Sequence, residues 1–291
     1  MTAHHVRPAR PADHAAVSLF TANTFAWGDY VAGSFLEWLR ADDSEVLVAV
    51  DVNDMAIGVS RAVLLSPREV WLHAARVHPD HRRKGIGLAL NDASVRWGRA
   101  RGAVVVGLLT EDDNTAARSQ VAGIGYREVA HWFYGFRTID PGTRDPGATG
   151  VTAAEAPQPL TTAPAVDIEP AYLTWSRSEL ASAAHGMIPL GWALRRMGID
   201  DLVTAVRDAT MFEAPAGWVM MVPDGENAVR IPWLVTIADD AYSFVRAITA
   251  RAAADGMNHV AMLLPRVPWL ATAAERAGYE IHTNTVWHLE I

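Results

Sequence analysis

The sequence predicts a mixed α/β protein built from two α/β domains in tandem, the N-terminal one intact and the C-terminal one degenerate. Three observations carry that expectation. Strand-like and helix-like apolar patterns alternate from Val6 to Phe136. Residues 138–165 then lose all apolar period and hold Pro141, Pro146, Pro157, Pro159, Pro164, Gly142, Gly147 and Gly150, the composition of a linker. After the linker, fragments of the first half return. Gly278-Tyr279-Glu280-Ile281 echoes Gly125-Tyr126-Arg127-Glu128-Val129, and Met262-Leu263-Leu264 echoes Gly107-Leu108-Leu109. The expected boundaries are 1–137, 138–165 and 166–291.

In order, Val6–Thr24 reads as a short strand and a helix, with Asp13 as a candidate N-cap after Arg10-Pro11. An aromatic and acidic turn, Phe25 to Tyr30, precedes a second helix at Val31–Leu39, with Phe35, Leu36 and Leu39 inward. Val46–Val50 and Ala56–Leu64 are two strands joined by a turn at Asn53-Asp54. The strand Glu69–Val77 runs through a basic turn into a helix over Gly85–Arg101. Ala103–Leu109 is continuously apolar, as in a strand covered on both faces. A helix at Thr115–Ala122 and a strand at Tyr126–Phe136 complete the domain. In the second half, the strand Ile231–Ile237 stands where Val70–Val77 stands in the first. Trp71 to Gly102 spans 31 residues, but Trp233 to Gly256 only 23. The shortening is expected at the basic turn, where Ala238-Asp239-Asp240-Ala241 replaces it. Two aspartates there repel a pyrophosphate.

The chain has 291 residues, enough for two cores, with 50% hydrophobic and 20% charged side chains. It contains no cysteine, which excludes disulfides, thiolate nucleophiles and cysteine–zinc sites; no metal site is expected. The N-terminus lacks the basic and apolar regions of a secretion signal, and no apolar run reaches membrane-spanning length. A cytoplasmic location without a membrane partner is expected. The net charge of −8 is uneven: residues 1–140 carry 15 basic and 16 acidic side chains, residues 141–291 carry 10 and 17. Neither half offers the basic face that a nucleic acid requires.

Glu69–Gly102 holds the sharpest signal. A strand, a turn with Arg82, Arg83, Lys84, Gly85 and Gly87, and a helix that starts at once form an anion cradle. Small residues admit close approach, successive N–H groups converge, and the helix start adds partial positive charge. A dinucleotide fingerprint fails because Leu90 holds the third glycine place, and a Walker loop fails because Lys84 precedes its glycine. Arg-x-x-Gly-x-Gly fits, with Val77-x-Pro79 upstream. This resembles the acyl-CoA signature of the GCN5-related N-acetyltransferases (GNAT family).

The resemblance implies acetyl-CoA as cofactor, held at its pyrophosphate by Arg82, Arg83, Lys84, Gly85, Ile86 and Gly87. It places backbone N–H groups of Ala75, Arg76 and Val77 at the acyl carbonyl and pantetheine arm, and Asn114 on the cofactor arm, where a plain helix cap is the equal alternative. Period two sets Glu69, Trp71, His73 and Ala75 on one strand face. Glu69 is the first candidate base and His73 the rival, because an attacking amine must be neutral. Glu69 also reads as a solvated carboxylate at a strand start. Trp27, Asp29 and Tyr30 fall where relatives contact the acceptor, and suit a small cationic or amino-acid-like amine. Relatives often carry a tyrosine seven residues after the asparagine; here Val121 stands there, and Tyr134 is a weak substitute. The implied activity is direct transfer of an acetyl group to the amine of a small molecule: amino-acid-like, polyamine, amine metabolite or antibiotic. A protein or peptide acceptor and a non-catalytic acyl-CoA sensor are the alternatives, and a homo-oligomer is compatible with the sequence.

Overall fold

The computed structural model describes residues 4–24, 29–139 and 157–291. Its chain divides into two compact units that interleave along the sequence. Met1–Leu109, Thr115–Glu128 and Trp287–Ile291 form the first; Thr110–Asn114 and Val129–Val286 form the second. The elements, in order, are β1 (His5–Pro8), α1 (His14–Thr21), α2 (Tyr30–Trp38), β2 (Ser44–Val50), β3 (Ala56–Ser66), β4 (Glu69–Val77), α3 (Ile86–Arg99), β5 (Val105–Glu111), α4 (Thr115–Gly123) and β6 (Arg127–Thr138). Then follow β7 (Thr161–Thr162), α5 (Ile168–Ser176), α6 (Glu179–Ala183), β8 (Met187–Leu190), β9 (Ala193–Arg196), α7 (Ile199–Arg207), β10 (Met211–Ala214), β11 (Gly217–Pro223), β12 (Ala228–Val235), α8 (Ala241–Ala254), β13 (His259–Pro265), α9 (Pro268–Arg276) and β14 (Glu280–Glu290).

In the first unit β1 to β5 lie in sequence order, antiparallel until the parallel step from β4 to β5. Alternation along β2 sends Val46, Val48 and Val50 into the core with Val17, Val31 and Phe35 of α1 and α2. Leu47 and Ala49 point the other way, onto Ile86 and Leu90 of α3. Gly58 lets that helix lie flush on β3, since a Cβ there would stand 2.8 Å from Ile86. Asp13 stands at the N-cap of α1 but makes no side-chain cap bond there. Its carboxylate takes a fork from Arg7 at 2.8 and 2.9 Å and the Arg10 N–H at 2.7 Å, tying β1 to the start of α1. The forked guanidinium and the backbone bond hold that carboxyl below the usual range against the opposing effect of burial.

The second unit repeats the motif. β12 and β13 are parallel, joined by α8, a helix of 14 residues like α3. Its strands run β6-β13-β12-β11-β10-β7, and β8 and β9 make a separate hairpin. Pairing sets Trp71 against Gly107 and Ile231 against Met262, so the register partner of Trp71 is Ile231 rather than Trp233. The strand-to-helix connection is 236–240 in this unit and 78–85 in the first. The turn therefore supplies only part of the shortening, and the strands supply most of the rest.

The expected division at 1–137 and 166–291 follows chain order, whereas packing exchanges the ends. Val129–Thr138 belongs to the second unit and Trp287–Ile291 to the first. A strand goes where a ladder partner and an apolar face await it, whatever its neighbours in sequence. Trp287 is 4% exposed in a cluster with Val70, Val95, Val121 and Tyr126. Most of the expected linker, 140–156, lies outside the described residues; its tail supplies β7, paired with β10. Trp287→Ala is expected to lower the stability of the first unit by about 3–5 kcal/mol, read by urea unfolding. A loss under 1 kcal/mol would remove the C-terminal strand from that core.

Candidate active site

The site is built on the second half of β4. Parallel pairing with β5 runs from Glu69–Val105 to Leu72–Leu108 and ends there. On the other side, the register with β3 shifts between Val59–Arg76 and Arg61–His73, so β4 carries one extra residue in a bulge. At its centre Ala74 has φ of 59°, left-handed for a residue with a Cβ, and its methyl is buried against the cluster under α1 and α2. Such a conformation costs about 1–3 kcal/mol and persists only where packing enforces it. Beyond the bulge His78 donates its N–H to Ile57. His78 turns its N–H to β3, so by alternation the N–H of Val77 faces away from β3, toward the side that β5 has left. A backbone donor aimed into a gap suits a carbonyl oxygen that gains charge.

The turn after β4 folds as the spacing predicts. Arg83 (φ 60°) and Gly85 (φ 82°) are both left-handed, and Gly85 is the N-cap of α3. Left-handed residues set among extended and helical ones turn successive N–H groups toward one point. Among the described residues, the N–H groups of Arg83, Lys84 and Gly85 find no backbone acceptor. A Cβ on Gly87 would stand 3.1 Å from the side-chain oxygen of Gln120 in α4, and one on Gly85 would meet nothing within 4 Å. This open, donor-lined concavity at a helix start fits a pyrophosphate. Lys84 donates to the carbonyl of Asp80 at 2.8 Å and Arg82 to that of Val77 at 3.4 Å, contacts that brace the turn. The corresponding connection of the second unit, 236–240, has no left-handed residue and carries Asp239 and Asp240.

Asp29 and Tyr30 do come to the bulge. The Asp29 carboxylate, 1% exposed, accepts the Val31 N–H at 3.0 Å as the cap of α2 and Arg76 Nε at 2.7 Å. Both its oxygens are engaged, so it presents no free charge to a cationic amine. The Arg76 guanidinium lies 5.8 Å over the Tyr30 ring, and Tyr30 meets Trp38 edge-on at 6.0 Å. Trp38 in turn touches His73 at 5.4 Å and carries the guanidinium of Arg61 at 5.0 Å. Burial, with Arg61 and Arg76 adding repulsion, pushes the His73 imidazole down to about 4.

The structure does not bring Glu69 to this group. It stands at the start of β4, where its carboxylate accepts from Ser66 Oγ at 3.1 Å. That is five residues before Ala74, roughly 16 Å along a strand. Asn114 precedes α4 and donates its backbone N–H to Glu111 at 3.2 Å. Val121 is buried in the core of the first unit. Tyr134, in the second unit, packs against Trp192 and Phe136, with burial raising its hydroxyl. Trp27 lies outside the described residues. The sequence reading missed Trp38, Gln120 and Arg61. A single arginine inside the apolar run Ala56–Leu64 was the available signal for the last.

The acetyltransferase (GNAT) family matches residues 14–121. Aminoglycoside N(6')-acetyltransferase type 1 from Klebsiella aerogenes is 31% identical over 103 residues, covering 33% of this chain and 68% of that protein. A GCN5-related N-acetyltransferase from Sphaerobacter thermophilus has a TM-score of 0.71 at 17% identity, over 99% of this chain and 95% of that one. A tandem GNAT protein from the clavulanic acid biosynthesis pathway has a TM-score of 0.60 at 15% identity, covering 99% and 98%. At those identities the two structures speak to the fold: mixed α/β, in tandem. Gly87→Glu is expected to weaken CoA binding by at least about tenfold through charge repulsion at the cradle. The melting temperature is expected to change little, because only the flexible end of Gln120 is near. Calorimetric titration with CoA checks this, and unchanged affinity would refute the cradle.

Proposed function

This chain belongs to the GNAT acetyltransferase family and is an acyltransferase, and we propose that its first unit transfers an acetyl group from acetyl-CoA directly to the amine of a small molecule. The observation that supports it best is one strand–turn–helix joining the gap beside β4 to the left-handed cradle before α3. When bound, acetyl-CoA supplies an activated thioester. Arg82 to Gly87 hold its pyrophosphate by backbone N–H groups and the start of α3. The N–H of Val77, on the side of β4 that β5 has left, would stabilise charge on the acyl oxygen. Asn114 is proposed on the cofactor arm. Trp38, Tyr30 and His73 wall the acceptor side, and the connection 236–240 of the second unit lacks the left-handed residues of the cradle.

For the proton, we place no direct role on Glu69, which stands away from the bulge. His73 borders it and is uncharged above about pH 5, the form that accepts a hydrogen bond. Its low basicity makes it a relay to solvent and not a store for the proton. The amine must then arrive unprotonated. The enzyme is expected to release CoA thiol from acetyl-CoA with a panel of small amines. Its kcat/KM is expected to rise with pH through the acceptor amine's own ionisation, with no inflection between pH 6 and 7. His73→Gln is expected to lower the rate without moving the inflection. An inflection near pH 6.5 that disappears in His73→Gln would show that His73 titrates in the working range and overturn the relay.

A further inference from the structure

Two guanidinium groups stand by the bulge, and the protein treats them differently. Arg76 is answered by the buried carboxylate of Asp29. Arg61 is not: its Nε and Nη2 both donate to one neutral acceptor, Ser44 Oγ, at 3.2 and 2.9 Å. Among the described residues no carboxylate touches it; Glu37 and Asp43 act on it only from a distance, favouring its charge. Burial opposes that charge more strongly than they support it. The group is therefore half-buried, positively charged and under-compensated, a state that costs stability unless a ligand relieves it.

Its place is also fixed. Arg61 pairs directly with His73 across β3 and β4, one residue before the left-handed Ala74. Its plane is set by the Trp38 ring at 5.0 Å, and the Ser44 bonds hold one edge of the fork; among the described residues Nη1 meets no acceptor. A guanidinium held in this way is preorganised for an oxyanion. Burial first, and then repulsion by Arg61 and Arg76, keeps a proton off His73. A polycation is a poor fit beside two arginines with Asp29 already spent.

We propose that Arg61, stacked on Trp38 beside the β4 bulge, is an anion-recognition subsite of the acceptor pocket, so that the acceptor is a small amine bearing a carboxylate or phosphate. This rests on the small-amine reading above and narrows it. Binding uses no covalent step: the anion docks on Arg61 and leaves the amine directed to the gap beside β4.

The test uses the full chain saturated with CoA, which permits binding without turnover. Amino acids, their methyl esters, aminoalkyl phosphates, spermidine and an aminoglycoside are titrated while tryptophan fluorescence is followed. The anionic amines are expected to bind roughly tenfold or more tightly than the matched esters. Arg61→Met is expected to abolish that preference while CoA affinity stays unchanged, and Arg61→Lys to retain part of it. The split between carboxylate and phosphate identifies which anion the subsite takes. Esters or polycations that bind as tightly as the acids, a preference that survives in Arg61→Met, or no binding by any amine would overturn the proposal. Acetyl-CoA with the same panel reads the reaction separately. Arg61-dependent binding of acids without CoA release would refute the acetyl transfer and leave the anion subsite standing.

Discussion

The left-handed turn at Ala74 is the constraint on which the site depends. A residue with a Cβ resists that conformation, and here burial of its methyl under α1 and α2 holds it. The turn adds length to β4 against β3, and beyond it β4 no longer follows β5. Past that alanine the N–H of Val77, which a regular sheet would bury in a ladder, is left facing the gap. The connection 78–85 turns a second set of N–H groups, at Arg83 to Gly85, away from any backbone acceptor among the described residues.

Around that turn, charge is distributed with economy. Asp29 caps α2 and clamps Arg76, so one carboxylate both starts a helix and fixes the end of β4. Burial, aided by repulsion from Arg61 and Arg76, holds the His73 imidazole well below its ordinary range. A sequence reading sees Asp29, Tyr30 and His73 as free chemical groups, but each is committed by neighbours that no spacing rule reports. Glu69 shares a strand face with His73 by period two but stands at the start of β4, with its carboxylate accepting from Ser66 Oγ.

The tandem repeat shows what survives when a cofactor site is not kept. β12, α8 and β13 preserve the parallel strand–helix–strand unit, because its apolar faces still bury a core. The cradle does not survive, since its left-handed residues and bare N–H groups stabilise nothing unless an anion binds. Acidic residues have taken its place. The units also exchange strands, so that each half of the chain contributes a segment to the other unit's packing.

The sequence by itself determined the element order, the limits of β4 and the cradle, because periodicity, glycine placement and basic residues at a turn act locally. The turn at Arg83 and Gly85 was legible for that reason, as was its absence from 236–240 in the second half. The tertiary structure alone decided the exchange of β6 and the C-terminal strand and the meeting of Arg61 with Trp38 and His73. Each of those follows from ladder register and burial among residues far apart in the chain, where the free energy of a contact depends on partners that local sequence does not name.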